Sequence, residues 1–172
     1  MSKFPDQRIG VLIDIQNIYY SAKVVYKKKA DFSEILKQAI AGRKLVRAIA
    51  YGISTEEKSE EKFFESLERA GFEVKSKELQ IFKGGMKKGD WDVGITIDAI
   101  KLANNLDVIV LVSGDGDYVP LVRYLQFNKG IRVEIMAFGE SCSHKLVEEA
   151  DDFSDLSVNK KFLINTNSKK IK

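Results

Sequence analysis

Several residue types and segments are scarce or missing in this sequence, and each absence removes a class of protein. The 172 residues include one cysteine, Cys142, which excludes an internal disulfide and a cysteine zinc site and suits a reducing compartment. The first residues lack the apolar run of a signal peptide, and no stretch approaches the roughly 20 apolar residues of a membrane span. We therefore expect a cytoplasmic protein that makes no use of a membrane.

The motifs of several enzyme classes are also missing. Cys142 lies two residues before His144, the one histidine, yet a buried or half-exposed structural cysteine is favoured over a Cys-His nucleophile. The glycine-rich segment 83–89 does not match GxxxxGK[ST], which excludes a nucleotide P-loop. Asp14 is followed two residues later by Gln16 rather than by a second acid, which excludes a DxD phosphatase. No DxSxS motif of a metal-dependent adhesion domain is present.

Charge is nearly balanced, with a formal net charge of +3, so the overall balance does not indicate nucleic-acid binding. The distribution is more informative, because lysines gather in residues 27–29, 75–88 and 160–172 around an acidic centre. Runs of this kind are usually solvated surface. Three of them around an acidic centre favour a path for a polyanion.

Alternating strand and helix patterns predict a three-layer α/β/α sandwich with a mainly parallel sheet. The predicted strands cover residues 8–15, 44–53, 72–82, 108–112 and 131–138. A helix follows the first strand, and further helices are predicted at residues 31–42, 54–71, 93–104, 119–130 and 143–149. The helix at 93–104 is apolar on all sides, which predicts that it is buried. We expect a flexible basic loop at 83–89, a terminal turn at 151–156, one domain over 1–158, and a flexible basic tail over 159–172 that is frayed from residue 163.

The stretch VIVLVSGDGDY at residues 108–118 organises the candidate site. A strand buried on both faces runs directly into Asp115 and Asp117, and ligands bind at this end of the strands in open α/β sheets. Two carboxylates held close together repel each other and are best accommodated by a shared cation, such as magnesium or manganese. The alternative is a polar strand-to-helix turn in which Asp117 caps the helix.

Other acids are predicted to join this pair. Asp14 ends the first strand, and Asp98 lies within the apolar helix, where an unpaired buried carboxylate would cost several kcal/mol. We therefore expect Asp98 to share one or two metal ions with Asp14 and Asp115; the alternative is a hydrogen-bonded, structural Asp98. Asp92 lies about 9 Å further along the helix axis and about 240° around it, so it is ranked as a supporting acid at the start of the helix.

Neighbouring polar residues are candidates for substrate binding. Asn17 is expected to orient Asp14 or to bind a phosphate oxygen, and Ser113 to do the same beside Asp115. Lys83, Lys87 and Lys88 lie in the basic loop, where they could bind a nucleic-acid backbone.

Four blocks, taken in order, resemble the NYN domains, a branch of the PIN-like nuclease superfamily. The blocks are VLIDIQN, KKGDWDVGITIDAIKLA, VIVLVSGDGDYVPLVRYL and LVEEADDFSDL. The resemblance covers residues 8–157 and implies a PIN-like, Rossmann-like α/β/α sandwich. It also implies a ribonuclease whose carboxylates bind one or two magnesium or manganese ions and whose substrate is RNA, which we expect to be single-stranded.

The resemblance also assigns individual positions. The family's first-strand acid and asparagine match Asp14 and Asn17, and its remaining acids match Asp92, Asp98, Asp115 and Asp117. The sequence departs from the pattern at Tyr118, where many relatives have phenylalanine. No accessory RNA-binding domain is recognisable in it, which leaves the RNA target open. Two further matters stay open: a homodimer, and an alternative function as an RNA-binding or regulatory module with little turnover.

Overall fold

The computed structural model describes residues 3–55 and 57–165, without the side chains of Lys87 and Lys88. Glu56, in the predicted start of the third helix, and residues 166–172 of the predicted tail lie outside the described residues.

Strands and helices alternate along the described chain. The strands are β1 (Arg8–Asp14), β2 (Lys29–Ala30), β3 (Lys44–Ser54), β4 (Glu73–Glu78), β5 (Gln80–Ile81), β6 (Lys87–Lys88), β7 (Val108–Val112), β8 (Arg132–Ala137), β9 (Asp152–Asp155) and β10 (Leu163–Ile164). The helices are α1 (Ile15–Tyr26), α2 (Phe32–Ile40), α3 (Lys58–Ala70), α4 (Asp92–Leu102), α5 (Val119–Lys129) and α6 (His144–Glu149). Within the described ranges, none of these helices has the length and apolar character needed to cross a membrane.

A six-stranded sheet forms the centre of the protein, in the order β4-β3-β1-β7-β8-β9. Every neighbouring pair in it is parallel. Helices cover both faces, which confirms the predicted three-layer α/β fold. Because β1 and β7 are neighbours in register, with Ile13 opposite Val112, the acidic segments that follow these two strands emerge side by side.

Successive side chains of the central strands contact opposite layers. Val11 and Ile13 pack in a core with α1 and α2, whereas Leu12 and Leu111 pack in a second core with α4 and α5. All of these side chains are at most 1% exposed. Both faces of the sheet are therefore covered, which explains why β1 and β7 are continuous apolar runs.

Several short elements differ from the prediction. The segment expected to be a turn at 151–156 contains β9, which pairs with β8, and Leu163–Ile164, expected to be frayed, pairs with β2. The long strand predicted at 72–82 is divided into β4 and β5, and β5 forms a hairpin with β6 where a flexible loop was expected. These segments are too short to show a periodicity, and their pairing is determined by neighbours that are distant in sequence.

Helix α4 is not buried, contrary to the prediction. Val93 is 70% exposed and Ile97 is 45% exposed, whereas Ile95 and Ala99 are fully buried. The helix lies in an outer layer and contacts the sheet with one side. Apolar residues on all sides of a helix therefore did not indicate burial here, and this error affects the interpretation of Asp98 described below.

A buried ion pair lies at the opposite end of the sheet from the acids. The guanidinium of Arg43 donates two hydrogen bonds of 3.0 Å to the carboxylate of Glu134, and Lys3 donates another of 2.7 Å. The side chains of Arg43 and Glu134 are 0% and 4% exposed. Burial raises the pKa of Glu134, but the hydrogen bonds from Arg43 and Lys3 outweigh it, so the pKa lies below its ordinary value.

We predict that Glu134→Gln destabilises the protein by about 3 to 5 kcal/mol near neutral pH, because it leaves the Arg43 charge buried without its anion. Because the pKa of Glu134 is lowered in the folded protein, its contribution to the free energy of unfolding is present above its ordinary pKa of 4.5. That contribution is lost as the pH falls through the lowered pKa. The difference in free energy of unfolding between wild type and Glu134→Gln should therefore decrease as the pH falls below 4.5, as measured by denaturant unfolding.

The matched control is Glu73→Gln, since Glu73 pairs with Arg47 on the surface, where the two side chains are 49% and 39% exposed. It should cost at most about 1 kcal/mol. Equal losses for the two glutamates would show that the buried pair has no special role.

Candidate metal centre

Acids from three separate elements meet at the carboxyl end of the central strands. Asp14 is the last residue of β1, and Asp115 and Asp117 lie in the loop that follows β7. Asp92 begins α4, which packs beside β1 and β7 in the second core. The parallel pairing of β1 with β7 therefore brings together residues about 100 positions apart in the sequence.

Asp92, Asp115 and Asp117 form a group that we call the acid cluster. Each offers a carboxylate oxygen, and these three oxygens lie within 4.8 Å of one another. Asp92 and Asp115 are partly buried, whereas Asp117 is exposed, so the cluster opens to solvent on one side. Oxygens at this spacing could ligate one hard divalent cation.

Asp14 lies behind the cluster and is 9% exposed. Its carboxylate caps α1 by accepting a 3.2 Å hydrogen bond from the backbone N–H of Asn17. Burial, with the charges of Asp92 and Asp115 adding to it, raises the pKa of Asp14 to about 6. The charges of the acid cluster therefore act on Asp14, although its oxygens are not among those that lie within 4.8 Å of one another.

The loop after β7 is held by hydrogen bonds from both sides. The side-chain oxygen of Asn17 accepts a 2.9 Å bond from the N–H of Gly114, and the N–H of Ser143 donates a 2.8 Å bond to the carbonyl of Gly114. A Cβ atom at Gly114 would lie 3.0 Å from the Cα of Cys142, so the close approach of the two backbones favours glycine. Asn17 thus orients this loop, in addition to binding Asp14 through its backbone.

Within the loop, side-chain oxygens accept hydrogen bonds from backbone N–H groups two residues later in the chain. The hydroxyl of Ser113, which is fully buried, accepts a 3.3 Å hydrogen bond from the N–H of Asp115. Asp115 in turn accepts a 2.9 Å bond from the N–H of Asp117. Asp115, rather than Asp117, is therefore the capping residue of the short 3-10 turn at Gly116–Tyr118 that leads into α5.

Asp92 is positioned by a tyrosine whose role the sequence did not reveal. The hydroxyl of Tyr118 donates a 3.1 Å hydrogen bond to Asp92, and Tyr118 is 1% exposed. Burial raises the pKa of Asp92 and, despite the bond from Tyr118, the nearby charges of Asp115, Asp90 and Asp117 raise it further. The one signal in the sequence was the departure at Tyr118 from the resembled family pattern, because a tyrosine can donate this hydrogen bond and a phenylalanine cannot.

Asp98, which was predicted to be a metal ligand, has other partners. Its carboxylate accepts hydrogen bonds of 2.8 Å from the hydroxyl of Tyr51 and 2.8 Å from the ammonium of Lys75. Burial raises the pKa of Asp98, but these bonds outweigh it and hold the pKa below its ordinary value. The premise of an unpaired carboxylate on a buried helix was therefore wrong, and the hydrogen-bonded alternative describes the observed contacts. Tyr51 and Lys75 are cross-strand neighbours, a register that the sequence did not specify.

The predicted phosphate-binding lysines are only partly described. Lys83 lies exposed in the turn of the β5–β6 hairpin. The backbones of Lys87 and Lys88 form β6, but their side chains are outside the described residues. Their proposed contact with a nucleic acid stays a prediction.

Comparison with known proteins identifies the family. The family described as NYN domain matches residues 8–157. Among solved structures, a protein of unknown function from Vibrio parahaemolyticus is 34% identical, with a TM-score of 0.86 over 95% of this chain and 100% of that chain. A ribokinase from Giardia lamblia has a TM-score of 0.40 and 10% identity over 62% of this chain and 40% of that chain, a likeness too weak to carry an argument. No curated protein matches the sequence.

We predict that Asp14→Asn stabilises the protein by about 2 to 3 kcal/mol near neutral pH without divalent ions, because it removes a buried charge and keeps an oxygen that can cap α1. Because the pKa of Asp14 is raised in the folded protein, the buried group costs wild type no stability below its ordinary pKa of 3.8. Wild type loses stability as the pH rises through about 6, where the buried carboxyl ionises. The extra free energy of unfolding of Asp14→Asn over wild type should therefore decrease on acidification, as measured by denaturant unfolding in the presence of a chelator.

The control is Asp31→Asn, since Asp31 caps α2 in the same way, through a 3.0 Å hydrogen bond from the N–H of Glu34. Asp31 is less buried than Asp14, so its variant should lack the gain in stability. If Asp14→Asn is no more stable than wild type at any pH, the penalty inferred for burying the Asp14 charge beside the acid cluster is wrong.

Proposed function

The chain belongs to the NYN domain family, and from this premise we propose that it is a divalent-metal-dependent ribonuclease that hydrolyses RNA phosphodiester bonds. The observation that carries the proposal is the acid cluster, in which three carboxylate oxygens from two separate elements lie within 4.8 Å of one another. Such proximity is unfavourable for the acids alone: burial is the main cause that raises the pKa of Asp14 and of Asp92, and the charges of neighbouring acids raise both further. A function that uses a cation explains why the acids are held there.

The chemistry of the donors fits magnesium or manganese. The cluster and Asp14 supply carboxylate oxygens, with neither histidine nor cysteine among them, and hard cations prefer such ligands. A bound ion of this kind would lower the pKa of a water bound to it. Its positive charge would lie beside the phosphate. A protein base is then not required, which agrees with a chain whose one histidine, His144, is 89% exposed and pairs with Glu148.

The roles of the residues follow from their contacts. Asp92, Asp115 and Asp117 would hold one or two ions, with Asp14 as a further, more buried ligand. Tyr118 keeps Asp92 in place, and Asn17 keeps the loop of Asp115 against α1. This set replaces Asp98 by Asp92, because Asp98 is neutralised by Lys75.

The substitution Asp115→Asn should lower the initial rate of RNA cleavage at least about 100-fold, since the loss of a residue that merely supports a metal ligand already costs about 10- to 100-fold. The measurement uses a labelled single-stranded RNA with manganese or magnesium. Manganese should also raise the melting temperature of wild type and not that of Asp115→Asn.

The control is Asp107→Asn, because Asp107 lies just before β7, at the other end of the strand that Asp115 follows, where it pairs with Arg8. Its cleavage rate should stay close to that of wild type. Equal cleavage by wild type and Asp115→Asn would remove the enzyme assignment. RNA binding by wild type without any cleavage would instead support a regulatory RNA-binding module.

A second pair of variants tests the choice between Asp92 and Asp98. We expect Asp92→Asn to weaken manganese binding and RNA cleavage at least about tenfold more than Asp98→Asn. Manganese titrations followed by thermal unfolding measure the first effect, and the unfolding curves without metal show whether each variant is folded. The reverse order would restore Asp98 as a ligand.

A further inference from the structure

One side of α1 is exposed although it carries large side chains. The exposed residues recur every three or four positions, which places them on one face of the helix. Tyr19, Tyr20 and Val24 on this face are 43%, 65% and 42% exposed. We call this surface the α1 face; its members are Gln16, Tyr19, Tyr20, Lys23, Val24 and Lys27.

The α1 face is positively charged. The ammonium of Lys23 lies 5.7 Å from the centre of the Tyr19 ring, and Lys27 is followed directly by Lys28 and Lys29. In the described part of the chain, these four lysines form no ion pair with an acid, in contrast to Lys75, which is neutralised by Asp98. No acid belongs to the α1 face, so its charge is available to an external anion.

Two hollows flank the α1 face and share Tyr19 and Lys29 as lining residues. The smaller, of about 420 Å³, is lined by Tyr19, Val24 and the four lysines. The larger, of about 750 Å³, lies between α1 and α3 and reaches Ile15 and Gln16, the two residues that follow Asp14, but its far side is lined by Asp31, Glu57 and Glu60. The phosphates of a bound strand are therefore favoured in the smaller, lysine-lined hollow. The surface is therefore continuous from the capping acid of α1 to the lysines at the other end of the helix.

We propose that the α1 face binds the single-stranded RNA segment adjoining the phosphate that is cleaved. The tyrosines stack on bases, and Lys23, Lys27 and Lys28 contact backbone phosphates. Aromatic side chains together with a basic groove are the usual means of binding single-stranded nucleic acids. This inference rests on the proposed function, because the acid cluster is taken as the place of the scissile phosphate.

The geometry favours a single strand over a duplex. A helix of 12 residues is about 18 Å long, which offers room for only a few nucleotides. Bases inside a duplex are stacked on each other and present no free face to Tyr19 or Tyr20. A single strand leaving the acid cluster along α1 can present both bases and phosphates to this surface.

The first test removes charge from the α1 face and measures binding. Fluorescence anisotropy with a labelled oligouridylate of about 12 nucleotides, in a chelator to prevent cleavage, should give a Kd at least about tenfold higher for Lys23→Gln/Lys27→Gln than for wild type. Loss of two phosphate contacts should also reduce the salt dependence, the slope of log affinity against log salt, by about 1.4. An unchanged Kd and slope would overturn the proposal.

The matched control is Lys58→Gln/Lys62→Gln on α3. This pair has the same spacing of four residues and the same loss of charge, but it lies among Glu57, Glu60 and Glu61. It should change neither the Kd nor the slope appreciably. An equal effect of both double variants would mean that only net charge matters, which would also overturn the proposal.

The second test concerns stacking. Tyr19→Ala and Tyr20→Ala should each weaken binding at least about fivefold, since a stacked base contributes that much or more, whereas Tyr19→Phe and Tyr20→Phe should retain the wild-type Kd. Binding to vesicles of phosphatidylcholine and phosphatidylserine, but not to RNA, would overturn the proposal in favour of a lipid surface. Variants that turn a dimer into a monomer without weakening RNA binding would identify a self-association surface instead.

Cleavage kinetics separate this inference from the proposed activity. If wild type binds RNA through the α1 face but does not cleave it with either metal, the ribonuclease activity is wrong and the binding surface stands. If wild type cleaves RNA and Lys23→Gln/Lys27→Gln has the same KM, the binding surface is wrong and the activity stands. If both are right, this variant should raise KM by a larger factor than it lowers kcat.

Discussion

The parallel pairing of β1 with β7 is the constraint on which the candidate site depends. It places Asp14 beside the loop of Asp115, and the hydrogen bond from Gly114 to Asn17 fixes how the two segments meet. Two apolar cores, one on each side of the sheet, hold this pairing in place. Buried apolar area stabilises the fold by about 25 cal/mol per Å². This stabilisation holds the acids close together although their charges repel each other.

The central part of this arrangement could be read from the sequence. Continuous apolar runs that end in Asp14 and in Ser113–Asp117 are typical of buried parallel strands, and the ends of such strands meet at one side of a sheet. Asp98 could not be interpreted in this way, because its partners Tyr51 and Lys75 are brought together only by the register of β3 and β4. Tyr118 was equally hidden, since its hydroxyl reaches an acid 26 residues earlier in the chain.

The acid cluster and the α1 face carry opposite charge, and α1 begins directly after Asp14, which lies beside the cluster. In the proposed function, an RNA strand would be attracted by lysines that form no ion pair in the described part of the chain. Its phosphates would be repelled by Asp92, Asp115 and Asp117 as long as these are ionised and without a cation. Occupation of the cluster by a divalent ion removes that repulsion. The proposed function therefore implies that metal binding and the entry of the phosphate are coupled through the electrostatic field of the same three carboxylates.

The outermost strands of the sheet have a further consequence. Among the described residues, β4 (EVKSKE) is the outermost strand on one side and β9 (DFSD) on the other, so both edges of the sheet carry charged residues. Lys75 and Lys77 are moreover turned toward Asp98 and the ring of Trp91. A strand from another molecule that docked there would have to bury these charges, and the protein is thereby protected against sheet extension and aggregation.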